Sequence, residues 1–250
     1  MSEKDTVVII GASSGVGRAL ATEMARRGYN LILSARDTDE LHVTAQDLEI
    51  RFPIRTIIKS LDMGNVDVPA IQTWVNECLE VTPRPAGVII TVGRVDDHDK
   101  GTADPTLIDE LVRINYLHII EFISLFVRHM ELQGNGHLAV CSSIAAAVPR
   151  QRNTVYASAK AALETYCRGL QHHLADTSVQ VQCFALGYVD TAMSFGQQLL
   201  LPVATPEAVA RYICSHMHTG FRFGYYPRYW SWIIRMLRLL PWTVYRRLKF

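Results

Sequence analysis

The sequence predicts an α/β fold, a doubly wound parallel sheet in a single domain. Three observations predict it. Apolar, β-branched runs such as TVVII at 6–10 are continuous rather than alternating, as strands buried on both faces require. Such runs alternate with helical patterns through most of the chain, and a parallel sheet covered on both faces is the economical solution for that order. A glycine-rich turn, GASSGVG at 11–17, sits directly between the first strand and the first helix.

The elements follow in order. After the strand at 6–10, the turn carries Gly11, Ser13, Ser14, Gly15, Val16 and Gly17. Strand, turn and helix together offer free backbone N–H groups and a positive helix end to a phosphate, and glycines let the backbone approach a pyrophosphate. The amphipathic RALATEMARRG stops at Gly28. The second strand, 31–34, runs into Arg36 and Asp37. A carboxylate here would hold the ribose 2′-hydroxyl of NAD, whereas an Arg accommodates the 2′-phosphate of NADP. Arg36 therefore favours NADP(H), and Asp37 is the residue that opposes it. A helix is expected over 37–51, a third strand over 54–61 ending at Asp62, a helix over 66–81, and a fourth strand over 88–92 ending at Gly93. A polar loop over 94–105 leads to a long helical pattern at 107–132 that contains Asn115. Strand 137–141, helix 154–175, strand 179–185, the turn Gly187-Tyr188-Val189-Asp190-Thr191, an apolar loop at 197–204 and a helix over 206–218 complete the body. There are no internal repeats and no linker.

The chemistry concentrates in 141–163, CSSIAAAVPRQRNTVYASAKAAL, which carries Ser143, Tyr156 and Lys160. Residues four apart share a helix face, so Lys160 can sit near the Tyr156 ring. A phenol titrates near ~10, and a neighbouring cation favours the phenolate, bringing Tyr156 towards use as an acid or base at neutrality. Ser143, in the loop after the strand, can reach the same point. An ordinary helix face also produces Tyr-x-x-x-Lys, so the pair gains its weight from the glycine turn at the other end of the chain.

With these residues in place the chain resembles the short-chain dehydrogenase/reductase family in its compact single-domain form, over roughly 6–220. The family's Gly-x-x-x-Gly-x-Gly turn is Gly11, Gly15 and Gly17; its Tyr-x-x-x-Lys is Tyr156 and Lys160; its serine falls on Ser143. The resemblance implies a Rossmann-type fold and hydride transfer between a nicotinamide cofactor and a carbonyl or alcohol. It implies that Tyr156 exchanges the proton, that Ser143 bonds the developing oxyanion, and that Lys160 lowers the Tyr156 pKa and holds the nicotinamide ribose. Asn115 would hold a relay water and Asp62 the adenine, with Gly93, Gly187, Val189 and Thr191 on the cofactor. A homodimer or homotetramer is also implied. Three positions depart from the family pattern: Ile10 stands for its Thr, Ile90-Thr91-Val92-Gly93 for Asn-Asn-Ala-Gly, and Leu186 for the Pro before Gly187. They bear on cofactor affinity and leave the catalytic side chains in place.

Residues 221–250 hold seven Arg or Lys and no acid, which leaves the first 220 with a balance of −6. On a helical wheel Arg228, Ser231, Arg235 and Arg238 fill one wedge of about 80°, and Trp, Ile, Met and Leu cover the rest. Three readings stand: an anionic membrane interface meeting 228–250, a subunit interface, or a cover on the substrate cleft. A helix of this length spans only ~20 Å, too short to cross a bilayer.

The five cysteines form no C-x-x-C pair and read as buried apolar residues in a reducing compartment, and no signal peptide is evident, so the expected location is cytoplasmic or peripheral at the inner membrane face. His172-His173 and His216-x-His218 lack metal spacing, so no metal is expected. The Asp96–Asp99 cluster reads as a solvated loop. Nucleic-acid binding is disfavoured, because only the tail is basic. The expected function is NADPH-dependent reduction of a lipophilic ketone or aldehyde. An NAD-linked alcohol dehydrogenase and a non-catalytic dinucleotide-binding interaction protein are the alternatives.

Overall fold

The computed structural model describes residues 5–13, 15–193 and 201–248. Their seven strands form one parallel sheet in the order β3-β2-β1-β4-β5-β6-β7. The strands are β1 (Thr6–Ile10), β2 (Asn30–Ser34), β3 (Thr56–Ile58), β4 (Gly87–Ile90), β5 (Gly136–Ser143), β6 (Val179–Leu186) and β7 (Phe223–Tyr226). Helices α1 (Gly15–Arg26), α2 (Thr38–Arg51), α3 (Val68–Val81), α4 (Pro105–Val112), α5 (His118–Gln133), α6 (Thr154–His173) and α7 (Pro206–His216) alternate with them; α8 (Trp230–Leu239) and α9 (Trp242–Tyr245) follow the last strand.

Two apolar layers hold the sheet. On one face Val8, Ile10, Val88 and Ile90 pack with Phe122 and Phe126 of α5 and Trp74 of α3. On the other Val7, Ile9 and Ile89 pack with Leu20 and Met24 of α1 and Val209 and Ile213 of α7. Successive residues of β1 thus feed opposite layers, which is why its sequence is apolar without alternation. Each fully buried side chain of this size contributes about 1.5–3 kcal/mol. All five cysteines are free and buried, as expected.

Four expectations need correction. The sequence reading starts the tail at 221, yet Phe223–Tyr226 is β7, pairing parallel with β6 from Cys183↔Phe223 to Leu186↔Tyr226. It is a short, half-buried edge strand, so it shows neither a continuous apolar run nor a useful alternation. The third strand is three residues rather than the span 54–61, also at an edge. The helix expected over 107–132 is two helices joined by a π-helical turn, Arg113–Leu117. One inserted residue shifts the apolar stripe too little to be seen in the sequence, and such turns gather at functional sites. Lastly, β5 extends to Ser143, which ends a strand instead of lying in a loop. Ser14, part of the apolar loop at 197–204 (residues 197–200) and residues 249–250 lie outside the described residues.

Candidate active site

Strand order reverses beside β1, where chain connections leave the sheet in opposite directions, the point at which open parallel sheets take ligands. A cavity of about 480 Å³ opens there at the C-terminal strand ends. The glycine turn forms one end, with Ser13, Gly15, Val16 and Gly17 among its lining residues. Gly11 adopts φ 97° and Gly15 φ 50°, where side chains are disfavoured. A Cβ on Gly17 would stand 1.8 Å from the Gly11 carbonyl oxygen. The turn therefore needs glycine to seat itself on α1. Thr91, within the reduced Asn-Asn-Ala-Gly motif, donates from Oγ1 to the carbonyls of Gly11 (3.0 Å) and Ile10 (3.2 Å), clamping the turn to the end of β4.

Beyond β2, Arg36 is exposed at the cavity rim. Asp37 is committed elsewhere: it N-caps α2, its carboxylate accepting from the Glu40 N–H at 3.0 Å. Asp62 also lines the cavity, with Oδ1 accepting from Gly64 N–H at 3.0 Å. Gly187, Val189 and Thr191 form the facing rim, and a Cβ on Gly15 would meet Thr191 Cγ2 at 2.9 Å.

Ser143, Tyr156 and Lys160 meet at the other end of the cavity. Ser143 ends β5, which Glu164 of α6 ties down by accepting from Ser142 Oγ at 2.8 Å. Tyr156 occupies the first turn of α6, and the Ser143 side chain lines the same end of the cavity. Lys160 Nζ lies 5.9 Å from the Tyr156 ring centroid and donates to Val92 O (2.9 Å) and Cys141 O (3.4 Å). Burial lowers the Lys160 pKa to about 8. The expectation that Lys160 draws the phenol down does not describe this arrangement. Burial raises the Tyr156 pKa, and the opposing pull comes from the Ser143 hydrogen bond and then from Arg150. Asn115 lies buried in the π turn beside the cavity wall. Its Nδ2 donates to Arg94 O (2.8 Å) and Leu111 O (2.9 Å), and its Oδ1 accepts from Arg94 N–H (2.9 Å). Its side-chain amide thus fixes the loop that follows Gly93.

The family model for short chain dehydrogenases matches residues 5–198. The chain belongs to the short-chain dehydrogenase family. It is 29% identical over 249 residues to an uncharacterized oxidoreductase of Mycobacterium tuberculosis, covering 97% of this chain and 96% of that protein. It is 26% identical over 213 residues to the very-long-chain 3-oxoacyl-CoA reductase-B of Danio rerio, covering 85% and 67%. Among solved structures, a short-chain dehydrogenase from Sphingobium yanoikuyae in complex with NADPH superposes with a TM-score of 0.82 at 20% identity, covering 98% of this chain and 96% of that one. The actinorhodin polyketide ketoreductase with NADPH gives 0.80 at 16%, covering 91% and 97%. This family likeness fixes the protein as an oxidoreductase of doubly wound fold.

Sequence reading missed three supports of this short-chain dehydrogenase site. Asp99, expected in a solvated loop, is 1% exposed and caps α6: Oδ1 accepts from Val155 N–H and Oδ2 from Tyr156 N–H, both at 2.9 Å. The residue before α6, Asn153, is left-handed at φ 54° and donates its N–H to Asp99 O at 2.7 Å. Because the cap comes from a distant loop, no local signal could have marked it. Trp230 of α8 lies directly on Gly187, where a Cβ would meet its Nε1 at 2.1 Å. With Ile234 it packs on Ile144, Ala147 and Val148, the loop behind Ser143. The third is Arg150, which lines the cavity. Among the described residues no group of three His, Cys, Asp or Glu could hold a metal.

Proposed function

We propose that this short-chain dehydrogenase uses NADPH to reduce the carbonyl of a lipophilic substrate, with Tyr156 as the general acid. The observation that carries the proposal is the meeting of Ser143, Tyr156 and Lys160 in the same cavity as the glycine turn. The turn suits a dinucleotide, because Gly17 leaves no room for a Cβ and the backbone is free to approach a pyrophosphate. When bound, the nicotinamide supplies the hydride. Arg36 faces the 2′-phosphate, since the competing carboxylate of Asp37 is already engaged as a helix cap.

The Tyr156 phenol, which burial shifts upward, is in the protonated form that a proton donor needs at neutral pH. Ser143, in the same cavity as Tyr156, donates to the oxygen on which charge develops. Lys160, anchored on two backbone carbonyls, holds the nicotinamide ribose and orders the ends of β4 and β5. The lipophilic part of the reading draws on Ile144, Tyr188 and Met193 in the cavity wall, and on a relative named for very-long-chain 3-oxoacyl-CoA. A peripheral position on anionic membrane is part of the same reading, because α8 leaves a second apolar face uncovered.

The test is binding of NADPH and NADH to wild type and Tyr156→Phe, with oxidation of the preferred one by medium- and long-chain ketones. The variant is expected to bind NADPH as wild type does and to lose roughly 10²-fold or more in kcat. Tighter NADH binding would overturn the role of Arg36; unchanged turnover in the variant would overturn that of Tyr156.

A further inference from the structure

Four cations line the cavity: Arg36, Arg94, Arg150 and Lys160. Arg36 stands at the far rim, beyond β2. Arg94 is neutralised by Glu110 and by Asp96, the latter at 3.3 Å. Lys160 is turned onto backbone carbonyls. Arg150 differs from all three. It stands beside the catalytic end, and among the described residues it has neither an ion-pair nor a hydrogen-bond partner, while its Nε is buried without an acceptor. The two carboxylates lining the cavity, Asp37 and Asp62, follow β2 and β3 on the side of the glycine turn. Among the described lining residues the catalytic end therefore presents an unneutralised guanidinium and no acid.

Resting on the reductase reading above, we propose that Arg150 is a substrate-anchoring residue that binds an oxyanion, a carboxylate or phosphate carried by the carbonyl compound. A guanidinium with no protein partner among the described residues offers its two Nη groups as a fork that fits either oxyanion in two parallel hydrogen bonds. The loop that carries Arg150 is held at both ends. The Tyr245 hydroxyl donates to Pro149 O, and Asn153 N–H donates to Asp99 O at 2.7 Å. Arg150 is thus fixed relative to Tyr156 through Asp99, which caps the helix bearing that tyrosine. Arg150 lines the same cavity as Tyr156, Ser143 and Lys160, so an anion seated on it would lie in the cavity that holds the reacting centre. The substrate class is consequently amphipathic: an apolar body against Ile144 and Tyr188, and an anionic group at a fixed distance from the carbonyl.

Calorimetry with the full chain saturated in NADP⁺ separates this proposal from the reductase reading, because it needs no turnover. The probes are a medium-chain keto acid, the corresponding keto phosphate monoester and the neutral methyl ester of the acid. Wild type is expected to bind at least one anionic probe about tenfold or more tighter than the ester, as charge-assisted hydrogen bonds imply. Arg150→Met should erase that preference while leaving ester affinity and NADPH Kd unchanged, and Arg150→Lys should restore part of it. Equal binding of all three probes by wild type overturns the proposal. So does an Arg150→Met variant that weakens NADPH, since the guanidinium would then serve the cofactor's phosphates. Selective anion binding without turnover of any carbonyl would uphold Arg150 and count against the reductase reading alone.

Discussion

Tyr156 and Lys160, 7% and 2% exposed, are shifted in opposite directions by one cause. Removal from water disfavours the charged form of each, so the phenol rises and the ammonium falls to about 8. The same reasoning applies to His137 at the start of β5, whose Nε2 lies 2.9 Å from His218 Nδ1. Burial, and then the neighbouring His218, lower its pKa to about 4. The unfolded chain binds this proton near ~6.5, the folded one only near 4, so the contribution to stability is complete above ~6.5 and is lost as pH falls towards 4. Melting temperatures from pH 7.5 to 4.5 should therefore fall less steeply in His137→Phe than in wild type. Parallel curves would show that His137 is not a source of the acid sensitivity. The pair also accounts for His218, whose ring packs edge-on against His137 with centroids 4.2 Å apart.

At the scale of elements, α6 is the part whose position matters most, and its N-terminus is set by Asp99. A carboxylate can accept from both Val155 and Tyr156 N–H groups, whereas an amide has one acceptor and would face the second N–H with its own NH₂. Asp99→Asn is expected to cost about 1–2 kcal/mol of stability, in the range of lost helix caps. It should also lower kcat severalfold while leaving NADPH Kd intact, because the first turn of α6 carries Tyr156. A loss of stability with unchanged kcat would reduce Asp99 to a purely structural cap. The π turn acts similarly on the facing wall. Its extra residue brings Asn115 to the Arg94 backbone, and through it fixes the loop after β4.

Across the whole molecule, α8 has two apolar faces separated by its arginine wedge. Trp230 and Ile234 point inward onto Ile144, Ala147 and Val148, the loop behind Ser143. Trp232, Met236 and Leu239, spaced as one stripe on the opposite side, are 67%, 64% and 74% exposed, and the Arg235 guanidinium lies 5.1 Å over the Trp232 ring. One helix thus carries both a face packed behind Ser143 and an exposed apolar stripe, and none of its residues lines the cavity. No helix of the described residues is long and apolar enough to cross a membrane. Pairing this stripe with its copy in a second molecule would oppose like charges, whereas anionic lipid would neutralise them. Wild type should sediment with vesicles containing phosphatidylglycerol and not with phosphatidylcholine alone, and Trp232→Ser/Met236→Ser/Leu239→Ser should stay in solution with its NADPH affinity intact. Absence of wild type from both pellets would remove the membrane from the functional reading.

The sequence by itself determined the doubly wound sheet, the glycine turn and the Ser143, Tyr156 and Lys160 positions. Each depends on local rules: apolar runs for buried strands, positive φ for glycine, and fixed spacing on one helix. Arg36 and Asp37 were legible as a pair, but the capping of α2 by Asp37 appeared only in the tertiary structure. Asp99, Thr91, Trp230, Arg150 and β7 were not legible. Their roles are contacts between residues far apart in the chain, or half-buried edge pairing, and neither leaves periodicity in the sequence. The direction of the Tyr156 shift belongs with these, because spacing places a cation nearby while only packing decides how much water the phenol loses.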